Sequence, residues 1–292
     1  LSTAVRKGAF QTAFDWPFYL PLALLGIPLP LFLVLLGAQL VYQFWIHSQH
    51  IGRLGVLEWF MVTPSNHRVH HGQNDCYIDK NHGGVFIIWD RLLGTFQEEL
   101  DEEPVVFGVT TPLASWNPLW ANLHFYAQLW RDALHASSWW DKLRIWFMPT
   151  GWRPDDVAAR YPLVKPELSQ FVKFDIPLTA GQKIYATLQF AGYVLGTTWL
   201  LVVAAEHGFG DTLIGWCWAA FGLYSIGVWL ENRAWAGKLE LLRLLLNVPA
   251  LWLMQQVGLI PAGETAWLVL LAYSLLSATF LWLPRRRQAE LA

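Results

Sequence analysis

From Trp16 to Gly52 the sequence reads WPFYLPLALLGIPLPLFLVLLGAQLVYQFWIHSQHIG, with no Asp, Glu, Lys or Arg. A domain surrounded by water has no use for so long an uncharged run, whereas a hydrocarbon layer about 30 Å thick takes roughly 20 helical residues per crossing. The composition argues against one straight helix. Pro17, Pro21, Pro28 and Pro30 each lack a backbone donor, and Gly26-Ile27-Pro28-Leu29-Pro30 concentrates the breakers near the middle. The stretch therefore predicts a membrane hairpin over about 16–46, bent at 26–30.

Further uncharged stretches lie at 184–205, 212–230, 244–263 and 265–284, each about the length of one span. The whole chain agrees with them: 54% of its 292 residues are hydrophobic and 14% charged, and the mean hydropathy is +0.31. Nineteen tryptophans suit aromatic belts at two lipid–water boundaries. A net charge of −2, with no Lys/Arg run longer than Arg285, Arg286 and Arg287, excludes a nucleic-acid partner. Cys76 and Cys217 form no CxxC pair, which excludes a disulfide scaffold and fits a reducing compartment. The chain opens Leu1-Ser2-Thr3 without a recognisable signal peptide and reads as a fragment or processed chain.

The basic residues orient the spans. Lys165, Lys173 and Lys183 precede the second stretch; Arg233, Lys238 and Arg243 lie between the third and fourth; Arg285, Arg286 and Arg287 come after the last. The connections 206–211 and 261–264 hold none, so the positive-inside rule puts the basic connections, and the C-terminus, in the cytoplasm. A hairpin over 16–46 keeps Arg6 and Lys7 on the side of Arg53, Arg68 and Lys80. The expected fold class is all-α, a multi-span membrane helical protein with a cytoplasmic histidine-rich metal-binding segment at about 47–165 and a four-span membrane domain at 184–287.

Six of the nine histidines fall between 47 and 82. The densest part is Thr63-Pro64-Ser65-Asn66-His67-Arg68-Val69-His70-His71-Gly72, where Pro64 and Ser65 signal a helix start and Gly72 its stop. His67, His70 and His71 then share one face at i, i+3 and i+4, placed to converge on metal ions. His47 and His50 share a face at the end of the preceding apolar arm. Imidazole suits Fe, Zn, Cu and Ni alike, and the HExxH of a zinc protease is absent. His124, His135 and His207 read as hydrogen-bonded interfacial residues.

These motifs carry a resemblance. Trp45-Ile46-His47-Ser48-Gln49, Leu57-Glu58-Trp59, the run from Thr63 to Gly72, Tyr77-Ile78-Asp79-Lys80-Asn81, Gly83-Gly84 and Ile88-Trp89-Asp90-Arg91-Leu92-Leu93-Gly94-Thr95-Phe96 resemble the fatty acid hydroxylase (sterol desaturase) superfamily, in its alkylglycerol monooxygenase-like branch. The resemblance implies a membrane oxygenase with two Fe ions in a histidine shell, which uses O₂ to hydroxylate or desaturate a fatty acyl, alkylglycerol or sterol lipid. It matches His67, His70 and His71 to a downstream HxxHH cluster and His47 to the histidine before it. His50 falls on no family ligand position, and His82 stands where tyrosine is expected. No HxxxH and no second HxxHH occur. The opening Leu1-Ser2-Thr3-Ala4-Val5-Arg6 resembles the residues that succeed the family's upstream cluster, so 1–183 reads as the C-terminal half of such a domain, and this chain alone is expected to be inactive.

A redox metal and O₂ are required because no side chain attacks an unactivated C–H bond. Glu58, Asp79 and Asp90 are the nearest carboxylates to orient the imidazoles through their outer N–H groups. Asp90 and Arg91 read as a local ion pair, Gly83, Gly84 and Gly94 as turn residues, and Trp89 and Phe96 as packing. The acidic run 98–103 reads as a solvated loop, or as a dock for a basic redox partner. The electron source is a reduced pterin or an external donor. The alternative readings are a metal-transport protein, which would place ligands within its spans, and a non-catalytic protein retaining the fold.

Overall fold

The computed structural model describes residues 8, 11–149, 151–163, 167–168 and 171–281. Arg6, Lys7, Lys165 and Arg285 to Arg287, which bear on the orientation, lie outside the described residues, as do the opening 1–6 and the last residues of the 265–284 stretch. The described residues form helices and contain no β-strand, only the isolated bridges Met61–Phe86 and Gly72–Phe107. They fall into two compact units, Leu1–Pro112 with Pro149–Val172, and Leu113–Met148 with Lys173–Ala292.

The first unit begins with two helices joined by a bend at the predicted breakers. Helix α1 (Gln11–Leu24) ends at Gly26, whose φ of 76° is costly for any residue with a Cβ. The Gly26 N–H donates to Ala23 O at 3.0 Å and the Ile27 N–H to Leu22 O at 3.1 Å, closing the helix end. Helix α2 (Leu29–Ile46) then starts with Pro30 in its first turn, where a missing donor costs nothing. Tyr19 and Phe32 pack edge to face across the bend at 5.0 Å. The 18 residues of α2 span about 27 Å and leave Leu33, Val34 and Val41 exposed, as a lipid-facing helix requires. Ile46 at its end is fully buried against Val62 and Ile87, and the Tyr42 hydroxyl donates to Val62 O at 2.6 Å. This knot ties the membrane arm to the histidine segment.

The short helix α3 (Pro64–His70) carries the HxxHH motif. Its cap is Thr63, whose hydroxyl accepts the Asn66 N–H, with Pro64 at the first helical position. Helices α4 (Ile88–Leu93) and α7 (Asp155–Arg160) complete the unit.

In the second unit, α5 (Pro118–His135) and α6 (Trp139–Arg144) accompany α8 (Ala180–Ala204), α9 (Phe209–Leu230), α10 (Ala236–Gln256) and α11 (Glu264–Leu281). Segment 113–148, which the sequence pattern groups with the histidine segment, docks here: Glu231 accepts the Trp116 N–H at 3.0 Å and the Ser115 hydroxyl, and Gly227 lets Trp116 O approach. Four described helices are long and apolar enough to cross a membrane, namely α2, α8, α9 and α11. The uncharged stretch 244–263 lies mostly in α10, which starts at Ala236 and carries Lys238, Glu240 and Arg243 inside the helix. Arg243 is thus no connection residue. It is 1% exposed and pairs with Glu240, 0% exposed, at 2.7 Å.

Candidate metal centre

His47 caps the C-terminus of α2, and His67 and His71 rise from one face of α3 and from its cap. Their Nε2 atoms form a nearly equilateral triangle with edges of 3.0, 3.1 and 3.1 Å. Two imidazole nitrogens bound at right angles to one ion, at about 2.1 Å each, would lie about 3.0 Å apart. The triangle therefore has the size of one face of an octahedral site. His47 Nδ1 faces Gln43 O at 2.5 Å. A carbonyl only accepts, so that nitrogen carries the hydrogen and His47 Nε2 presents its lone pair to the triangle.

The electrostatics preserve the lone pairs. Burial, reinforced by the neighbouring imidazoles, lowers His67 to about 2 and His71 to about 4. Both rings are neutral at neutral pH, the form a cation requires. Burial also lowers His70, opposed by its contact with Lys80 O at 3.3 Å. His67 Nδ1 is buried without a hydrogen-bond partner, so the ring's polar contacts are those of Nε2 within the triangle.

The six predicted histidines do not all converge. His47, His67 and His71 form the described group able to hold an ion. His70 stacks on His67 with ring centroids 5.4 Å apart and faces His82 at 6.0 Å, which makes a neighbouring pair of imidazoles beside the triangle. His50 is exposed; its backbone N–H meets Ser48 Oγ at 3.2 Å and its ring lies outside the group. His124 and His207 each turn Nδ1 back to a carbonyl of their own helix, at 3.1 and 2.9 Å.

The carboxylates expected to orient the imidazoles do other work, because main-chain carbonyls of Gln43 and Lys80 occupy those positions. Glu58 Oε1 accepts from Leu54 N–H (2.7 Å), Ser65 hydroxyl (2.8 Å) and Thr63 hydroxyl (3.2 Å), fixing the start of α3. Asp90 accepts from the N–H groups of His82 (2.7 Å) and Gly83 (2.8 Å) and from the Thr95 hydroxyl (2.7 Å), so it holds the His82 backbone and not an imidazole. Asp79 is exposed, at φ 55°. No described ion pair joins Asp90 to Arg91: the Arg91 guanidinium lies 3.6 Å over the Phe96 ring and donates to Glu58 O at 3.1 Å. Gly83 allows a close approach, since a Cβ there would meet Phe86 O at 2.6 Å. Gly94 ends α4 at φ 76°.

The acidic run is an internal strap. Arg68 forks onto Glu99 at 2.6 and 2.7 Å and donates to Ile51 O at 2.8 Å, binding the segment after His47 to the loop. Arg53 reaches Asp101 at 3.0 Å. Two amides to which the sequence pattern assigns no role are as central. Asn81, fully buried at φ 54°, donates to Asn66 O (2.9 Å) and Gln97 O (2.8 Å) and accepts Gln97 N–H (2.9 Å). Asn74 accepts Val106 N–H at 2.8 Å and donates to Glu103 at 2.7 Å. The sequence signal for Asn81 is its place in a turn, where asparagine tolerates a positive φ.

Residues 2–95 match the family model described as fatty acid hydroxylase. The chain is 37% identical to alkylglycerol monooxygenase of Homo sapiens and 34% identical to that of Xenopus tropicalis, each over 255 residues, 84% of this chain and 55% of the relative. It is 35% identical to ornithine lipid hydroxylase OlsE of Rhizobium tropici over 95 residues, 32% of this chain and 29% of the relative. The chain thus spans about half the length of the curated relatives it matches over most of its residues. No solved structure matches it. Motif, histidine geometry and relatives agree: residues 2–95 match the fatty acid hydroxylase family, and most of the chain is similar to the alkylglycerol monooxygenases.

Proposed function

We propose that this chain belongs to a membrane oxygenase that hydroxylates a lipid with O₂, with iron held at the histidine centre. The observation that carries the reading is the Nε2 triangle of His47, His67 and His71, three neutral donors sized for one ion. His70 and His82 would contribute to a second iron beside it. Bound iron supplies the O₂-activating chemistry that side chains lack. The chain's residues fix the donors: Gln43 O sets the His47 tautomer, Glu58 and Thr63 hold α3, and Asp90 holds the backbone at His82.

The substrate is a lipid, an alkylglycerol by similarity to the relatives, which reaches the site from the bilayer because His47 ends a membrane-length helix. Electrons come from a reduced pterin or a redox partner. The acidic run is a poor dock for that partner, since Glu99 and Asp101 are engaged by Arg68 and Arg53. On the same reading 1–183 belongs to the oxygenase domain, 184–287 is an appended membrane domain, and the histidine segment faces the cytoplasm, as Lys173, Lys183, Arg233 and Lys238 support. Metal transport is disfavoured because the histidine group sits beyond the end of α2 and not within a span.

Counting iron and zinc per purified chain tests the proposal. Iron is expected in the native protein and in His50→Ala, and is lost in His47→Ala and His67→Ala. Zinc alone, or iron unaffected by those two substitutions, would refute it.

A further inference from the structure

Helices α8 to α11 enclose a cavity of about 450 Å³. Its wall is aliphatic and aromatic except for Asn247 and the phenols of Tyr193 and Tyr273. The other polar groups of the wall are satisfied within the protein: Trp199 Nε1 donates to Leu259 O at 2.9 Å, and both phenol oxygens accept from Arg243, at 3.3 and 2.7 Å. Asn247 differs. Trp218 Nε1 donates to its Oδ1 at 3.0 Å, and an indole N–H only donates, so the acceptor must be the amide oxygen. The amide nitrogen makes no hydrogen bond to the described residues, and Asn247, 5% exposed, lines the cavity and is reached from it.

A donor that faces an apolar cavity and makes no bond within the protein matches an acceptor on a ligand in that cavity. The charge nearest the wall is balanced, because Arg243 pairs with Glu240 at 2.7 Å, so neither an anionic nor a cationic head is attracted. The volume lies near the lower end of the roughly 300–1,000 Å³ of small-molecule sites and suits one hydrocarbon chain, not two. Leu195 and Trp199 of α8 and Val269 of α11 line the cavity, yet are 72%, 49% and 64% exposed, so it opens sideways between these helices to the bilayer.

We propose that the cavity binds a single-chain, neutral lipid whose head presents an ether, ester or hydroxyl oxygen to Asn247, and that the lipid enters from the bilayer between α8 and α11. The inference concerns the bundle alone and stands whether or not the histidine centre is an oxygenase.

The test uses the full chain in nanodiscs with a diazirine-bearing monoalkylglycerol and mapping of the labelled peptides, beside a diazirine phosphatidylcholine as the two-chain probe. Two variants are compared. Gly192→Leu fills the cavity at a position where an added Cβ meets no atom within 4 Å. Asn247→Leu removes the donor. Labelling by the monoalkylglycerol should concentrate at 192–200 and 266–273, be competed by unlabelled monoalkylglycerol, and be nearly abolished in Gly192→Leu. In Asn247→Leu it should weaken about fivefold, the worth of one hydrogen bond. Uncompeted labelling spread over the bundle and unchanged in either variant would mean surface lipid and overturn the proposal. Equal entry of the phosphatidylcholine probe would overturn the single-chain reading.

Discussion

Replacing Arg243 by methionine keeps a long unbranched side chain and removes the charge from the bundle interior. The guanidinium donates to Glu240 (2.7 Å), Gln189 (2.8 Å), Tyr273 (2.7 Å), Tyr185 (3.2 Å) and Tyr193 (3.3 Å). The neutral partners can re-pair: the Tyr273 hydroxyl already donates to Gln189, and the Tyr185 hydroxyl to Glu240. The Glu240 carboxylate cannot be neutralised that way, although Ser225 also donates to it at 2.5 Å. Leaving one member of a buried pair uncompensated costs about 3–5 kcal/mol, whereas replacing both by apolar side chains is near neutral or stabilising by about 1–4 kcal/mol. At roughly 2–4 °C per kcal/mol, Arg243→Met should lower the unfolding midpoint by about 6–20 °C, and adding Glu240→Leu should restore most of it. Thermal unfolding of wild type, both single variants and the double variant in one nanodisc preparation gives the coupling directly. A double variant destabilised by the sum of the two single effects would refute the reasoning, because the charge would then not be the source of the cost.

Acid should destabilise the metal-free protein through its histidines. Burial lowers His71 to about 4 and His67 to about 2, so the unfolded chain takes up protons first as pH falls below about 6.5. The contribution is fully present above pH 6.5 and is lost progressively towards pH 4 and below. Denaturant midpoints measured across that range should fall, and the fall should flatten in a His67→Asn/His71→Asn variant; an equally steep fall there would place the effect elsewhere. Gly83→Ala forces a Cβ to within 2.6 Å of Phe86 O and 2.9 Å of Asp90 Oδ2, and should cost about 1–3 kcal/mol by denaturant unfolding. Gly37→Ala, in α2 with nothing within 4 Å, should stabilise by up to about 1 kcal/mol; a reversed order for the two glycines would contradict the packing described.

The sequence by itself determined the elements whose cause is local. Gly26, Pro28 and Pro30 fix the hairpin bend through their own backbone limits, uncharged runs demand a lipid environment, and HxxHH spacing places three imidazoles on one helical face whatever that helix packs against. Tertiary structure decided whatever depends on a distant partner. His47 joins His67 and His71 because Ile46 is pinned between Val62 and Ile87, while His50, three residues further on, points elsewhere. The acceptors behind His47 and His70 are backbone carbonyls, which every residue carries and no sequence pattern marks, so the carboxylates Glu58 and Asp90 were free to hold loops instead. Counting charges put Arg243 in a connection, whereas it pairs with Glu240 inside the bundle, a relation set by the surrounding helices. The union of 113–148 with α9 is likewise invisible in the chain, since it rests on Glu231 meeting Ser115 and Trp116 more than a hundred residues away.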